Sequence, residues 1–320
     1  MSLTIKVIPT LDSQYVDSRK FQNAKIYYGS IDNEIKAPIS PKCFLGAWYR
    51  KVFSSFDYWL GIEGVIKLGE FIPDKARFNL DGKGRFMDNP SIYMGGKSQK
   101  ESDAGLNLNL SYLSFDTKDD LQLSSPKVAY RPFWRYIYNM ATDESGNVDR
   151  HEVNSWNVHN PRHLGNYYFP GDVIKMSVFS PLRDYLQLRI DVIEPTNNPK
   201  YVKIRNNYNL ENNLPTSFLS PLFFSKGHGY EKAEFKRVNS IDQYGNEGFV
   251  AQNTNAEVTE ALWQEVYLYR EINGEICKIP FLQNRQTSMI CPNTDAITVR
   301  NHPFDPTGET IQIHPGKINL

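Results

Sequence analysis

The segment YLQLRIDVIE, residues 185–194, sets Leu186, Leu188, Ile190 and Val192 on one side and Gln187, Arg189 and Asp191 on the other. A two-residue period this regular fits a half-buried strand and excludes a helix, because successive side chains of a strand point to opposite faces. The preceding VIKMSVFS (173–180) is joined to it by PLRD, which predicts an antiparallel hairpin. Strand-like segments recur at AWYRKVF (47–53), YWLGIEGVIKL (58–68), LNLNLSYLSF (106–115), AYRPFWRYIYN (129–139) and EFKRVNSID (234–242). In NAEVTEALWQEVYLYREI (255–272) the first half also suits a helix. The second half alternates and runs into Asn273-Gly274 and EICKIPFL, a hairpin signature that decides for strand. Strands this dense, with no helices between them, predict an all-β sandwich or barrel.

Composition agrees. The 320 residues include 19 Tyr, 18 Phe, 5 Trp, 19 Pro and 20 Gly, as expected of many short strands and tight turns. Thirty-six basic residues balance 36 acidic ones, so the chain lacks the charge footprint of a nucleic-acid or membrane-surface binder. No apolar run is long enough to span a bilayer. The opening MSLTIKVIPTLDSQYVDSRK has no basic stretch leading into an apolar one. No secretory leader is therefore expected here, which places the chain in the cytosol or leaves its leader outside this sequence. A single domain over 1–320 is expected, with an N-terminal arm of about 1–44 and a C-terminal extension of about 292–320. The Asn-rich stretch 195–217 reads as a surface loop, and the turn-rich 70–100 as a loop or short hairpin bordering a groove.

Cys43, Cys277 and Cys291 are odd in number and far apart, without a zinc-ligand pattern. Free buried thiols are expected, with Cys277 and Cys291 on adjacent strands as the alternative. His159 and His163 have metal-like spacing, but Asn160-Pro161 between them breaks a helix and favours a loop. DESGNVD (143–149) spaces its oxygens like a calcium loop but lacks the required glycine and distal acid, so a turn is expected. DQYGNEG (242–248) likewise reads as a polar turn. No metal and no cofactor are expected.

Five segments, in order, resemble the glutamic peptidases, also called eqolisins. YWLGIEG (58–64) resembles the family's Trp-x-Gly-Ile-Asp-Gly, with Glu63 in place of its Asp. Asp103-Ala104-Gly105 stands where the family has Gln-Ala/Thr-Gly with its catalytic glutamine. YRPFWRYIY (130–138) takes the place of an aromatic-rich strand, and PGDVIKMSV (170–178) that of a Gly-Asp-x-Ile turn. Ala233-Glu234-Phe235 matches the segment bearing the catalytic glutamate. The resemblance implies a concanavalin-like jelly-roll β-sandwich of two bent antiparallel sheets, with the functional cleft on the concave one.

It also implies candidate site residues. Asp103 and Glu234 would face each other as a carboxylate pair, one acid and one base or nucleophile, suited to peptide or glycoside hydrolysis. The competing reading makes Asp103 a turn residue at the mouth of its strand and Glu234 a solvated one. Trp59, Glu63, Tyr130, Trp134 and Tyr136 are candidates to line a groove for a polysaccharide or polypeptide, with the sandwich core as the competing fate of the aromatics. The alternatives to a hydrolase are a lectin-like binding module and a structural or interaction protein that kept only the sandwich.

Overall fold

The computed structural model describes residues 18–39, 42–82, 85–108, 129–137, 153–157, 166–207 and 217–317; of residues 136, 137, 153–157 and 207 only the backbone is described. In chain order the strands are β1 (Lys25–Ile26), β2 (Ala47–Ser54), β3 (Gly61–Lys67), β4 (Phe71–Ile72), β5 (Asp88–Lys97), β6 (Glu101–Leu108), β7 (Tyr130–Ile137), β8 (Val153–Asn157), β9 (Val173–Leu182) and β10 (Tyr185–Glu194). They continue as β11 (Phe218–Leu219), β12 (Phe223–Phe224), β13 (Glu234–Gln243), β14 (Glu257–Ile272), β15 (Glu275–Pro280), β16 (Gln286–Cys291), β17 (Ile297–Asn301) and β18 (Glu309–Ile313). The described α-helices are α1 (Arg19–Gln22) and α2 (Pro199–Asn207), and four single-turn 3-10 segments lie at 75–77, 283–285, 294–296 and 315–317.

The strands form two sheets. The seven-stranded sheet runs β16-β2-β13-β5-β6-β7-β8; the eleven-stranded sheet is built on β1-β15-β14-β3-β9-β10-β11, with β4, β12, β17 and β18 attached. β1 pairs with β15 in parallel, and the other neighbours are antiparallel. Between the sheets lies one apolar core. The seven-stranded sheet contributes Trp48, Ile92, Leu106, Trp134 and Phe235, and the eleven-stranded sheet Ile62, Met176, Leu188, Trp263 and Leu268. The fold is thus the expected all-β sandwich of two antiparallel sheets.

The β9–β10 hairpin forms as its alternation predicts, with Leu188 opposite Val178 and a turn at Asp184, whose φ is 65°. β14 is extended over its whole length. Its inward residues change parity, from Ala261 and Trp263 to Val266 and Leu268, because a bulge at Glu265 (φ 44°) inserts a residue between the part paired with β18 and the part paired with β15.

Three expectations are corrected. The second half of 70–100 is β5, which lies between β13 and β6 in the interior of the seven-stranded sheet. Cys43 and Cys291 form a disulfide, and Cys277 alone is a buried free thiol. The bond pins residues 42–45 against the outer face of β2, where the Phe44 ring stacks on Tyr49 at 3.8 Å. Within 195–217, residues 199–207 are helical, and Arg205 of α2 is buried against Asp172 at 2.6 Å. Asp172 also accepts from the amides of Phe169 and Thr196, both at 2.7 Å. Beyond Pro292 the chain adds β17 and β18, the latter bonded to β14. The histidine pair 159/163 and the segment 143–149 lie outside the described residues.

One ion cluster crosses the core. Glu309 of β18 accepts from Arg237 of β13 at 2.7 Å and from both Nε (3.2 Å) and an Nη (2.8 Å) of Arg50 on β2. Arg237 lies 5.4 Å from the Trp263 ring centroid. Burial alone would raise the Glu309 carboxyl, but Arg237 and Arg50 bring it down to about 2. Glu309→Gln should destabilise the protein by about 3 kcal/mol near neutral pH, since it leaves the buried Arg237 and the mostly buried Arg50 without a counter-charge. A carboxyl depressed from 4.5 to about 2 stabilises fully above the first value and loses that contribution as pH falls toward the second. Urea unfolding should therefore show a gap between wild type and variant that is wide at about pH 7 and narrower at about pH 3. A gap independent of pH contradicts the assignment.

Candidate functional site

On the outer face of the seven-stranded sheet, strand pairing aligns Lys236, Gly95, Asp103 and Arg135 in one row across β13, β5, β6 and β7. Asp103 is not at the mouth of its strand but third within β6, and it is 1 % exposed. Its Oδ2 accepts from Nε and an Nη of Arg135 at 2.9 and 2.7 Å. The Lys236 amine nitrogen stands 2.7 Å from Oδ1 and also pairs with Glu101. Burial, then Lys51 and Lys97, pull this group well below the usual lysine range, and the two carboxylates at contact distance are what favour its charged form. Charges taken out of water need such partners, because desolvation otherwise costs several kcal/mol per ion.

Gly95 lies between Lys236 and Asp103 and makes the reach feasible. A Cβ there would press on the Ser102 carbonyl oxygen and stand 3.0 Å from Asp103 Oδ1. Beside the row, burial and then Asp103 and Asp242 push the Tyr93 hydroxyl well above the usual range, so the ring stays neutral. Asp242 donates nothing as a carboxylate; it accepts from Ser91 at 2.6 Å, and burial raises its carboxyl above the usual value.

Glu234 is on the same strand and face as Lys236, two residues toward the start of β13. With β5 between β13 and β6, the α-carbons of Asp103 and Glu234 are roughly 12 Å apart by strand spacing and rise. Lys236 occupies the ground between them. The closest cation to Glu234 is Lys51, at 3.8 Å. Burial raises the Glu234 carboxyl above its ordinary value, against the pull of Lys51 and Lys97. The two acids thus share a sheet and a face, and each is met by cations.

The expected groove residues are elsewhere. Trp59 is fully buried, its indole N–H donating to Ser55 Oγ at 3.1 Å. Tyr130 and Trp134 point into the core, the latter against Phe218 at 5.9 Å between ring centroids. On β7 it is the alternate set, Arg131, Phe133 and Arg135, that faces outward. Glu63 is on β3 in the other sheet, accepting from Tyr269 and Lys278, both at 2.6 Å. The Tyr136 side chain lies outside the described residues. Among the described residues no three His, Cys, Asp or Glu side chains are grouped to hold a metal ion.

Lys236, Arg135 and Gly95 were not singled out as site residues from the sequence. The strand period carried a signal for two of them: Lys236 follows Glu234 by two positions, and Arg135 alternates with the aromatic positions of β7.

No protein-family model and no curated protein sequence matches the chain. Among solved structures it is similar to scytalido-glutamic peptidase with a transition state analog inhibitor, at TM-score 0.45 and 8% identity, covering 84% of this chain and 98% of that one. It is also similar to scytalido-glutamic peptidase with a peptide based transition state analog, at TM-score 0.41 and 7% identity over 83% and 97%. SCP-B, a member of the eqolisin family of peptidases in a complex with the tripeptide Ala-Ile-His, gives TM-score 0.34 and 8% identity over 83% and 97%. The resemblance expected from the ordered motifs is therefore found over most of the chain, at great divergence. The sandwich itself rests on the strand pairing described above.

Asp103→Asn should lower stability by about 3 kcal/mol, because Lys236 and Arg135 lose their shared counter-charge. Gly95→Ala should cost about 1–3 kcal/mol through overpacking of the same row. Both are read from urea midpoints, and an unchanged midpoint in either variant contradicts the row as drawn.

Proposed function

We propose that this chain is a non-catalytic binding protein built on an eqolisin-like sandwich. The observation that carries this reading is the clamping of Asp103 by Arg135 and Lys236. A carboxylate held by two cations and shut from solvent is a poor proton carrier, since proton transfer needs a group within reach of the reacting atom. The inward turn of Trp59, Tyr130 and Trp134 further removes the aromatic lining that a substrate groove on this face would use.

One observation favours hydrolysis instead: Glu234 has a raised carboxyl on a face where a general acid would sit. The two readings separate in one assay. Wild type, Asp103→Asn and Glu234→Gln are incubated with denatured polypeptide and with neutral glycans between about pH 2 and about pH 7, a span that covers a general acid of normal or raised carboxyl pKa. Equal, background release of products by all three is expected. Hydrolysis by wild type that Glu234→Gln abolishes, with the variant still folded by circular dichroism, overturns the proposal.

A further inference from the structure

Away from the row of charges, a cleft of about 350 Å³ opens between the start of β3, the end of β14 and the turn preceding β13. Its volume is at the lower end of the ~300–1,000 Å³ of small-ligand clefts. Tyr58 and Tyr230 stand in its wall, 53 % and 39 % exposed, with Arg270, Glu231 and Glu271.

The wall is fixed from behind. Asp57 bridges to Ala233 and accepts from the amides of Ile35 and Tyr58 and from Arg270 at 2.8 Å, which holds that guanidinium in place over Trp59. The turn carrying Tyr230 is tied to Asp184, whose carboxylate accepts from Gly227 N at 2.7 Å and whose N–H donates to His228 O. Gln99 orients Glu231 through a 2.6 Å hydrogen bond. Two amphipathic rings and the planar groups of Arg270 and Glu231 are thus presented on fixed supports, with Glu271 beside them.

The charges select the ligand class. Arg270 is the cation in the cleft wall, while Lys232 lies over one face of Tyr58 at 5.4 Å and Arg183 over one face of Tyr230 at 5.6 Å, beside the cleft. Glu231 and Glu271 are the carboxylates in its wall, and Asp57, buried behind it, pairs with Arg270. An anion or a cation would each meet groups of its own sign, whereas a neutral polyol finds both donors and acceptors for its hydroxyls. Exposed tyrosine rings supply the apolar surface that the C–H face of a sugar ring covers. We infer that this cleft is a binding site for a neutral glycan, with Tyr58 and Tyr230 as stacking surfaces and Arg270, Glu231 and Glu271 as hydroxyl partners. The inference rests on the reading of the chain as a binding protein, and its test separates the two.

The full chain is titrated by calorimetry with neutral hexasaccharides of β-1,4-glucan, β-1,3-glucan, xylan, mannan and chitin, and in parallel with short uncharged peptides. Each mixture is analysed for cleavage afterwards. At least one glycan should bind with a Kd below about 1 mM, and Tyr58→Ala and Tyr230→Ala should each weaken it about tenfold or more. Tyr58→Phe, which keeps the ring, should recover most of the affinity that Tyr58→Ala loses, and far-UV circular dichroism of both alanine variants should match wild type. Absence of glycan binding, glycan binding that neither alanine variant moves, or peptide binding through the same tyrosines in place of glycan overturns the inference. A glycan bound through the tyrosines and recovered cleaved leaves the cleft standing and overturns the non-catalytic reading.

Discussion

A carboxylate buried in the middle of a sheet must be met by positive charge, and that requirement organises the outer face of the seven-stranded sheet. Asp103 is nearly inaccessible, and two cations from different strands converge on it. Arg135 comes from the adjacent strand, whereas Lys236 must cross β5. The crossing is open because β5 carries Gly95 at that level of the row. Glycine in a strand interior weakens the strand in isolation and often marks a close approach by another group; here the close groups are the Ser102 carbonyl and the Asp103 carboxylate. Four strands are tied by one charge and one missing side chain.

Comparable arrangements hold other parts of the molecule. Glu309 is clamped by Arg50 and Arg237 and joins β18 of one sheet to β2 and β13 of the other. Asp172 fixes the entry to β9 and anchors α2 through Arg205. Asp57 fixes the Arg270 side chain at the cleft lined by Tyr58 and Tyr230. Buried ion pairs are weak contributors to net stability when compared with well-packed apolar residues of the same shape, yet removing one partner is severe. Such groups favour register over affinity for any one strand, because a slip by one residue would turn every one of them to the wrong face. Asp103 serves the same role within the seven-stranded sheet.

Where alternation is regular, the fold was legible in the sequence. Leu186, Leu188 and Ile190 define a strand face by themselves, and Asn273-Gly274 marks the β14–β15 hairpin without help from tertiary structure. β5 was not legible, because Pro90 and the pair Gly95-Gly96 are the residues that signal turns; the reason for Gly95 is steric and non-local. The same holds for Gly96, where a Cβ would stand 2.5 Å from His228 Nε2. Alternation also told which residues of β7 share a face, but not which face was inside, so Trp134 was placed in a groove that the core claims. The disulfide joins positions 248 residues apart, a proximity that no local pattern carries. Asp103 and Glu234 do share a sheet face, but the cation between them was hidden in plain view two residues beyond the glutamate.

The central claim, that Asp103 is held by Arg135 as a structural ion pair, is tested most directly by a double-mutant cycle. Wild type, Asp103→Asn, Arg135→Gln and the double variant are compared by urea unfolding. A coupling free energy of about 2 kcal/mol, within the 0.5–3 kcal/mol found for residues in direct contact, is the expected result. Additive effects, with coupling below about 0.5 kcal/mol, would mean that the two side chains act independently and that Asp103 is free for another task.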